Sequence, residues 1–205
     1  MSRMIDLGRH RFWRWLGLWL ALCVLAPAAQ AAAYVFPGNL PSTCTGSGPS
    51  YTCTGLTLLT GDTVTINSPT PATITVNGAL NATGASINSA GNTADLTLNV
   101  TGAVTLTTSS IKGNVNSVGA TLNTGSSITG NLAAGAATIT LAASTTVSGN
   151  VSCTGTCYLG MQGNDITIGG TTTVGHLYNW GPTARALAAP SRRTMPTSTW
   201  AMTRS

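Results

Sequence analysis

From Leu56 onward the chain alternates. Thr63-Val-Thr-Ile66, Thr73-Ile-Thr-Val76, Leu96-Thr-Leu-Asn-Val100 and Val104-Thr-Leu106 each place an apolar residue at every second position, with Thr or Asn between. Successive side chains on a strand point to opposite faces, so the pattern predicts short, half-buried strands with an apolar inner row and a hydroxyl outer row. Asn77-Gly78, Thr83-Gly84, Gly91-Asn92 and Thr101-Gly102 punctuate these runs. Gly and Asn accept the positive φ that a tight corner requires.

Between Gly102 and Gly170 the punctuation becomes a repeat. Ile111-Lys-Gly-Asn-Val115, Ile128-Thr-Gly-Asn-Leu132 and Val147-Ser-Gly-Asn-Val151 begin 17 and then 19 positions apart, and Ile168-Gly-Gly-Thr-Thr172 is a weaker fourth copy. A near-fixed short period marks a solenoid, and a coil this short has room for a few strands but not for a helix pair. The expected fold is therefore all-β, a parallel β-solenoid. At ~18 residues per coil and ~4.8 Å between stacked strands, the stretch from Leu56 to Gly170 gives about six coils and a rod about 30 Å long. Stacking puts Asn114, Asn131 and Asn150 at one corner of successive coils, where an amide ladder along the axis is expected. Ala133 to Ala137 and Ala142-Ala143 are expected in tight inner corners. Val76-Asn-Gly-Ala-Leu80 and Val100-Thr-Gly-Ala-Val104 echo the phrase without its Asn at irregular spacing, which predicts inserted loops in the early coils.

Composition narrows the function classes. Only 6% of the 205 residues are charged, while 42% are hydrophobic, so the chain buries apolar rows behind a neutral, hydroxylated surface. The formal net charge of +5 comes from the two ends. Between Tyr34 and Leu177 the only Lys or Arg is Lys112, against Asp62, Asp95 and Asp165. Nucleic-acid binding rests on clustered Lys and Arg, so that partner class is excluded.

The N-terminal stretch reads as a leader. Arg9, Arg11 and Arg14 precede an apolar run from Leu16 to Pro27, and Ala29-Gln30-Ala31 offers a small-x-small cleavage pattern. The run is shorter than the ~20 residues of a membrane span, so no stable span is expected after processing. Leu22 before Cys23 does not fit a lipoprotein site. The chain then divides into a leader (1–31), an N-terminal cap (32–55), a solenoid (56–177) and an irregular basic tail (178–205), for which disorder or a shifted reading frame is considered.

Export changes the reading of the cysteines. Cys44, Cys53, Cys153 and Cys157 make an even number in an oxidising compartment. Three pairings are formally open, and proximity favours Cys44–Cys53 and Cys153–Cys157. Zinc would call for paired Cys-x-x-Cys or added histidines, so disulfides are expected and no metal or cofactor. Tyr34, Phe36 and Tyr51 suit capping of the first coil, with sugar stacking as the alternative. The mature chain has no Glu, its three Asp residues are far apart in sequence, and His176 and Lys112 have no evident catalytic partner, so no catalytic residues are expected. Gly163-Asn-Asp-Ile-Thr-Ile-Gly-Gly170 resembles one calcium-binding nonapeptide unit, but that site needs tandem copies, and Asp165 reads as a turn residue.

Tyr34-Val-Phe-Pro-Gly-Asn-Leu-Pro41, the Cys44 to Cys53 segment, Gly61-Asp-Thr-Val-Thr-Ile66, Pro71-Ala-Thr-Ile-Thr-Val-Asn-Gly78 and the Gly-Asn-Val coils resemble the N-terminal region of MshQ-like proteins, which are associated with biogenesis of a type IV pilus. The coils also resemble bactofilins, polymer-forming β-helical scaffolds. The resemblance implies a fold and a setting and no functional residues. The expectation is a secreted, non-catalytic structural or adhesive solenoid in the periplasm or on the surface of a Gram-negative cell. Its expected partners are copies of itself through the solenoid ends, or envelope, pilus or surface-glycan contacts. The alternative is a carbohydrate-binding module or a degraded polysaccharide-active β-helix enzyme.

Overall fold

Seven strands line each of two faces and eight line the third. The computed structural model describes residues 30–67, 69–135 and 137–179. Most of the expected leader, and the expected tail from position 180, lie outside the described residues. The described residues from Ala31 onward belong to one compact unit.

The chain runs round three faces, here A, B and C, and climbs one level per turn. The first level holds β1 (Ala33–Phe36), β2 (Cys44–Ser47), β3 (Ser50–Cys53) and β4 (Leu56–Leu58). The second holds β5 (Thr63–Ile66), β6 (Ala72–Val76) and β7 (Leu80–Thr83), and the third β8 (Ser86–Ile87), β9 (Leu96–Val100) and β10 (Ala103–Thr107). Then come β11 (Ser110–Lys112), β12 (Asn114–Ser117) and β13 (Gly119–Leu122), followed by β14 (Ser127–Thr129), β15 (Leu132–Ala134) and β16 (Ile139–Ala142). The sixth level is β17 (Thr146–Val147), β18 (Val151–Cys153) and β19 (Tyr158–Gln162). The last is β20 (Thr167–Ile168), β21 (Thr172–Thr173) and β22 (His176–Asn179). Face A is β1-β5-β8-β11-β14-β17-β20, face B is β2-β3-β6-β9-β12-β15-β18-β21 and face C is β4-β7-β10-β13-β16-β19-β22. Six full turns separate β1 from β20, so the all-β parallel solenoid of about six coils is what the chain forms.

The apolar row of each strand turns inward and stacks in register. On face A, Val64, Ile87, Ile111, Ile128, Val147 and Ile168 follow one another, and all are buried. Each level adds a layer of aliphatic contact to the one beneath, and this burial supplies most of the favourable free energy of folding. Coil length varies because loops enter at the corners. Hydrogen bonds between neighbouring levels join residues 30 apart at the first turn, 24 apart in the third, and 17, 19 and 21 apart along the later coils. One such insertion carries the 3-10 turn Thr93–Asp95. Asn88 ties it down by donating from its side-chain amide to the carbonyls of Asn92 and Lys112.

Two boundaries and one set of corner residues differ from the expectation. The segment 32–55 is itself the first level: β1 pairs parallel with β5, and β3 parallel with β6. Its capping element is narrower, the antiparallel β2–β3 pair. At the other end, β22 carries the pattern past Leu177, with Tyr178 opposite Gly160 and Asn179 opposite Met161; main-chain pairing to β19 continues after the apolar alternation has stopped. Among the alanines expected in inner corners, Ala134 is buried, whereas Ala133, Ala137, Ala142 and Ala143 are only half-buried. The corner between faces C and A is instead filled by a column of residues, small and mostly polar except for Ile166, two places before each inward β-branched residue: Asp62, Ala85, Ser109, Ser126, Thr145 and Ile166, all buried.

Candidate functional site

The outer surface is built from rows. On face B, Thr75, Asn99, Asn116 and Ala133 occupy one outward register, and the Asn116 side-chain amide donates to Asn99 Oδ1 at 2.8 Å. On face C, Thr57, Asn81, Thr105, Thr121 and Thr140 form the matching row. Such a face offers hydroxyl and amide groups and almost no charge.

Asn114, Asn131 and Asn150 lie at the corner between faces A and B, one level apart. Asn114 Oδ1 accepts from both the main-chain and side-chain nitrogens of Asn131, at 3.1 and 3.0 Å. Asn131 Oδ1 accepts from the Asn150 main-chain N–H at 2.8 Å, and Asn150 Oδ1 from that of Thr171 at 2.7 Å. Most rungs therefore join a side-chain carbonyl to a main-chain N–H one level up. The reason is local: the main-chain N–H leaves the strand ladder as the chain turns, and needs another acceptor. Glycine at the preceding position is a steric requirement. A Cβ on Gly149 would lie 2.5 Å from the Gly130 carbonyl oxygen, and one on Gly130 would overlap that of Gly113. The Val76-Asn-Gly-Ala-Leu80 and Val100-Thr-Gly-Ala-Val104 phrases stack on each other, but at the corner between faces B and C. They are a different corner solved with the same residue.

The cysteines join as Cys44–Cys53 and Cys153–Cys157, separated by 9 and 4 positions. The first links opposite residues of the β2–β3 pair. The second spans the corner between β18 and β19.

Among the described residues, two groups of aromatic side chains form at opposite ends of the stack. Phe36 and Tyr51 are buried in the first level with their rings edge to face, 4.9 Å between centroids. Both belong to the core, and the sugar-stacking alternative considered for them has no exposed ring to act through. At the opposite end, face C carries Tyr158, His176 and Tyr178 on its outer side. Tyr158 stacks on His176 at 5.1 Å and lies 5.5 Å from Tyr178. Tyr158 and Tyr178 are 39% and 45% exposed, enough ring surface for a ligand to touch. Gly160 falls between Thr140 and Tyr178 in the outer row. Having no side chain, it leaves a shallow groove of about 260 Å³ lined by Thr138, Thr140, Tyr158, Gly160 and Tyr178. His176 and Tyr178 escaped the sequence reading as partners of Tyr158. The available signal was the shared spacing of Tyr158-x-Gly160 and His176-x-Tyr178, one coil apart.

The carboxylates of Asp62, Asp95 and Asp165 do not converge. Asp62 is buried and accepts from the main-chain N–H groups of Ala32 and Leu59. Asp95 accepts from the Asn92 N–H at 2.6 Å. Asp165 sits at an exposed turn with φ of +60°. Among the described residues no group of three or more His, Cys, Asp or Glu is placed to hold a metal ion, and no helix is long and apolar enough to cross a membrane. Comparison with protein-family models, with curated proteins and with solved structures finds no match.

Proposed function

We propose that this chain is an exported, non-catalytic structural or adhesive β-solenoid of a Gram-negative envelope, working through its shape and its C-terminal end. The envelope setting, including a pilus accessory role, rests on the leader-like N-terminal sequence and on the resemblance of the Tyr34 to Pro41 and Gly-Asn-Val phrases to MshQ-like proteins. The observation that carries the reading is the difference between the two strand edges. At the first level the chain covers its own edge on faces A and B, while β4 on face C pairs only with β7. The Val35 N–H donates to the Asn39 carbonyl, the Asn39 side-chain amide donates to the Ala33 carbonyl, and β2 lies antiparallel along β3. At the last level β20, β21 and β22 each pair on one side only among the described residues, and Leu177, which continues the inward row above Leu159, is 44% exposed. Unpaired edges with exposed apolar surface are where strands of another chain add.

One competent end closes association at a pair of molecules, because a filament needs two. The test is light scattering and electron microscopy of the mature product over a concentration series. A concentration-dependent dimer that Leu177→Asp abolishes is the expected result. A monomer throughout would sink self-association as the function.

A second reading is favoured by the groove on face C: a saccharide contact. Exposed tyrosine rings beside threonine hydroxyls supply the apolar face and polar edge that a sugar ring needs. At about 260 Å³ the groove suits one ring of a longer glycan. Glycan-array binding lost in Tyr158→Ala and retained in Tyr34→Ala would support it; binding indifferent to Tyr158 would refute it.

A further inference from the structure

Asp62 occupies a position that no other carboxylate shares among the described residues. It stands in the buried corner column between faces C and A and is 6% exposed. Oδ1 accepts from the Ala32 nitrogen at 2.7 Å, and Oδ2 from the Leu59 N–H at 2.8 Å. Lys112 and His176, the basic side chains among the described residues, are not partners of Asp62. A buried carboxylate with neutral donors alone is costly, and a cation at hydrogen-bond distance offsets part of that cost. Ala32 is the first-level member of the same column, and its carbonyl accepts from the Thr63 N–H at 2.9 Å. Gly61, with φ of +88°, leaves room for the incoming chain, since a Cβ there would lie 2.8 Å from that of Ala31. Ala31 is exposed and Ala32 half-buried.

The Ala29-Gln30-Ala31 pattern places the scissile bond between Ala31 and Ala32. We propose that Ala32 is the N-terminal residue of the working protein and that its α-ammonium is seated on the Asp62 carboxylate. Leader removal then supplies the counter-charge for the buried acid and fastens the first coil. A leader endopeptidase adds water across the bond. The hydroxyl goes to the Ala31 carbonyl carbon, the C–N bond breaks, and the Ala32 nitrogen keeps the electron pair and takes up protons to become –NH3+. A neutral donor at 2.7 Å becomes a charged one without moving, and charge-assisted hydrogen bonds are about twice as strong as neutral ones. The inference rests on the export reading above and adds to it a structural consequence of processing.

Two measurements separate them. The full chain is produced in an exporting host and the product's N-terminus is sequenced. A start at Ala32 is expected, and cleavage elsewhere, or none, overturns the processing step. The seat is then tested on protein starting at Ala32, obtained by export or by a tag protease. Lys112 is the only lysine in the sequence, so an amine-acylating reagent has just the α-amine and Lys112 to modify, and Lys112 serves as internal reference. The α-amine is expected to react at least about tenfold more slowly than in Asp62→Asn, with Lys112 unchanged. Equal α-amine rates in two folded proteins overturn the seat. Should Asp62→Asn not fold, protein retaining Ala31 displaces the ammonium by one residue. It is expected to label about tenfold faster at its α-amine and to melt about 2–4 °C lower; unchanged labelling and melting overturn the seat.

Discussion

The first and last levels of the stack share one architecture and differ in almost every detail of finish. At the first, Phe36 and Tyr51 are buried, a disulfide ties β2 to β3, Asn39 folds back over β1, and Asp62 anchors the chain where it enters. At the last, Tyr158, His176, Leu177 and Tyr178 are exposed and the described strands pair on one side only. In a solenoid each coil contacts only its neighbours, so the two terminal coils each lack one neighbour and must be finished by other means. Among the described residues this chain finishes the first on faces A and B with its own residues and presents apolar and aromatic surface at the last. On the proposed reading, the N-terminal end holds the stack closed and the C-terminal end makes the contact.

The comparison breaks most readily at Phe36. Phe36→Ala empties a fully buried ring site and is expected to cost about 3–5 kcal/mol in urea unfolding. Tyr178→Ala at the other end should change stability by under about 0.5 kcal/mol. Similar losses at both would mean that the last level is buried in solution by a partner or by the chain itself. The disulfides come next. Replacing both members of Cys44–Cys53 by Ser should cost about 2–3 kcal/mol, and of Cys153–Cys157 about 2 kcal/mol, because the loop closed by the second is shorter; paired denaturation curves under oxidising conditions decide the order. Asn39→Ala removes one hydrogen bond from the covered edge, worth about 1 kcal/mol. Its sharper readout is association: it should give the molecule a second competent end and raise its apparent mass in light scattering, where Asn131→Ala in the middle of the stack should not. A stability effect as small as that of Tyr178→Ala belongs to Tyr158→Ala, which should melt within about 2 °C of the parent and be felt only in glycan or self-contact assays.

Much of this fold is legible in the chain because solenoid geometry is local and repeated. Period-two alternation gives the inner row, and the Gly-Asn phrases give the corner and the coil length. The Ile111, Ile128 and Val147 phrases fall in register where their spacing places them. The cysteine pairs follow from short separations. What stayed hidden is what depends on stacking. Asp62 is only one of three scattered carboxylates in the sequence until the column it shares with Ser109 and Thr145 puts it inside, two places from Val64. Tyr51 reads as either a capping or a sugar-stacking residue until Phe36 meets its ring.

The sequence by itself therefore determined the type of coil, its strand faces and its glycine corners, since each is set by residues a few positions apart. The tertiary structure decided which corner each glycine serves, which aromatic rings are buried, which end is covered, and that the Ala32 nitrogen reaches Asp62. Those are relations between coils, joining residues 17 to 30 positions apart, and inserted loops of unequal length leave no fixed period from which to read them.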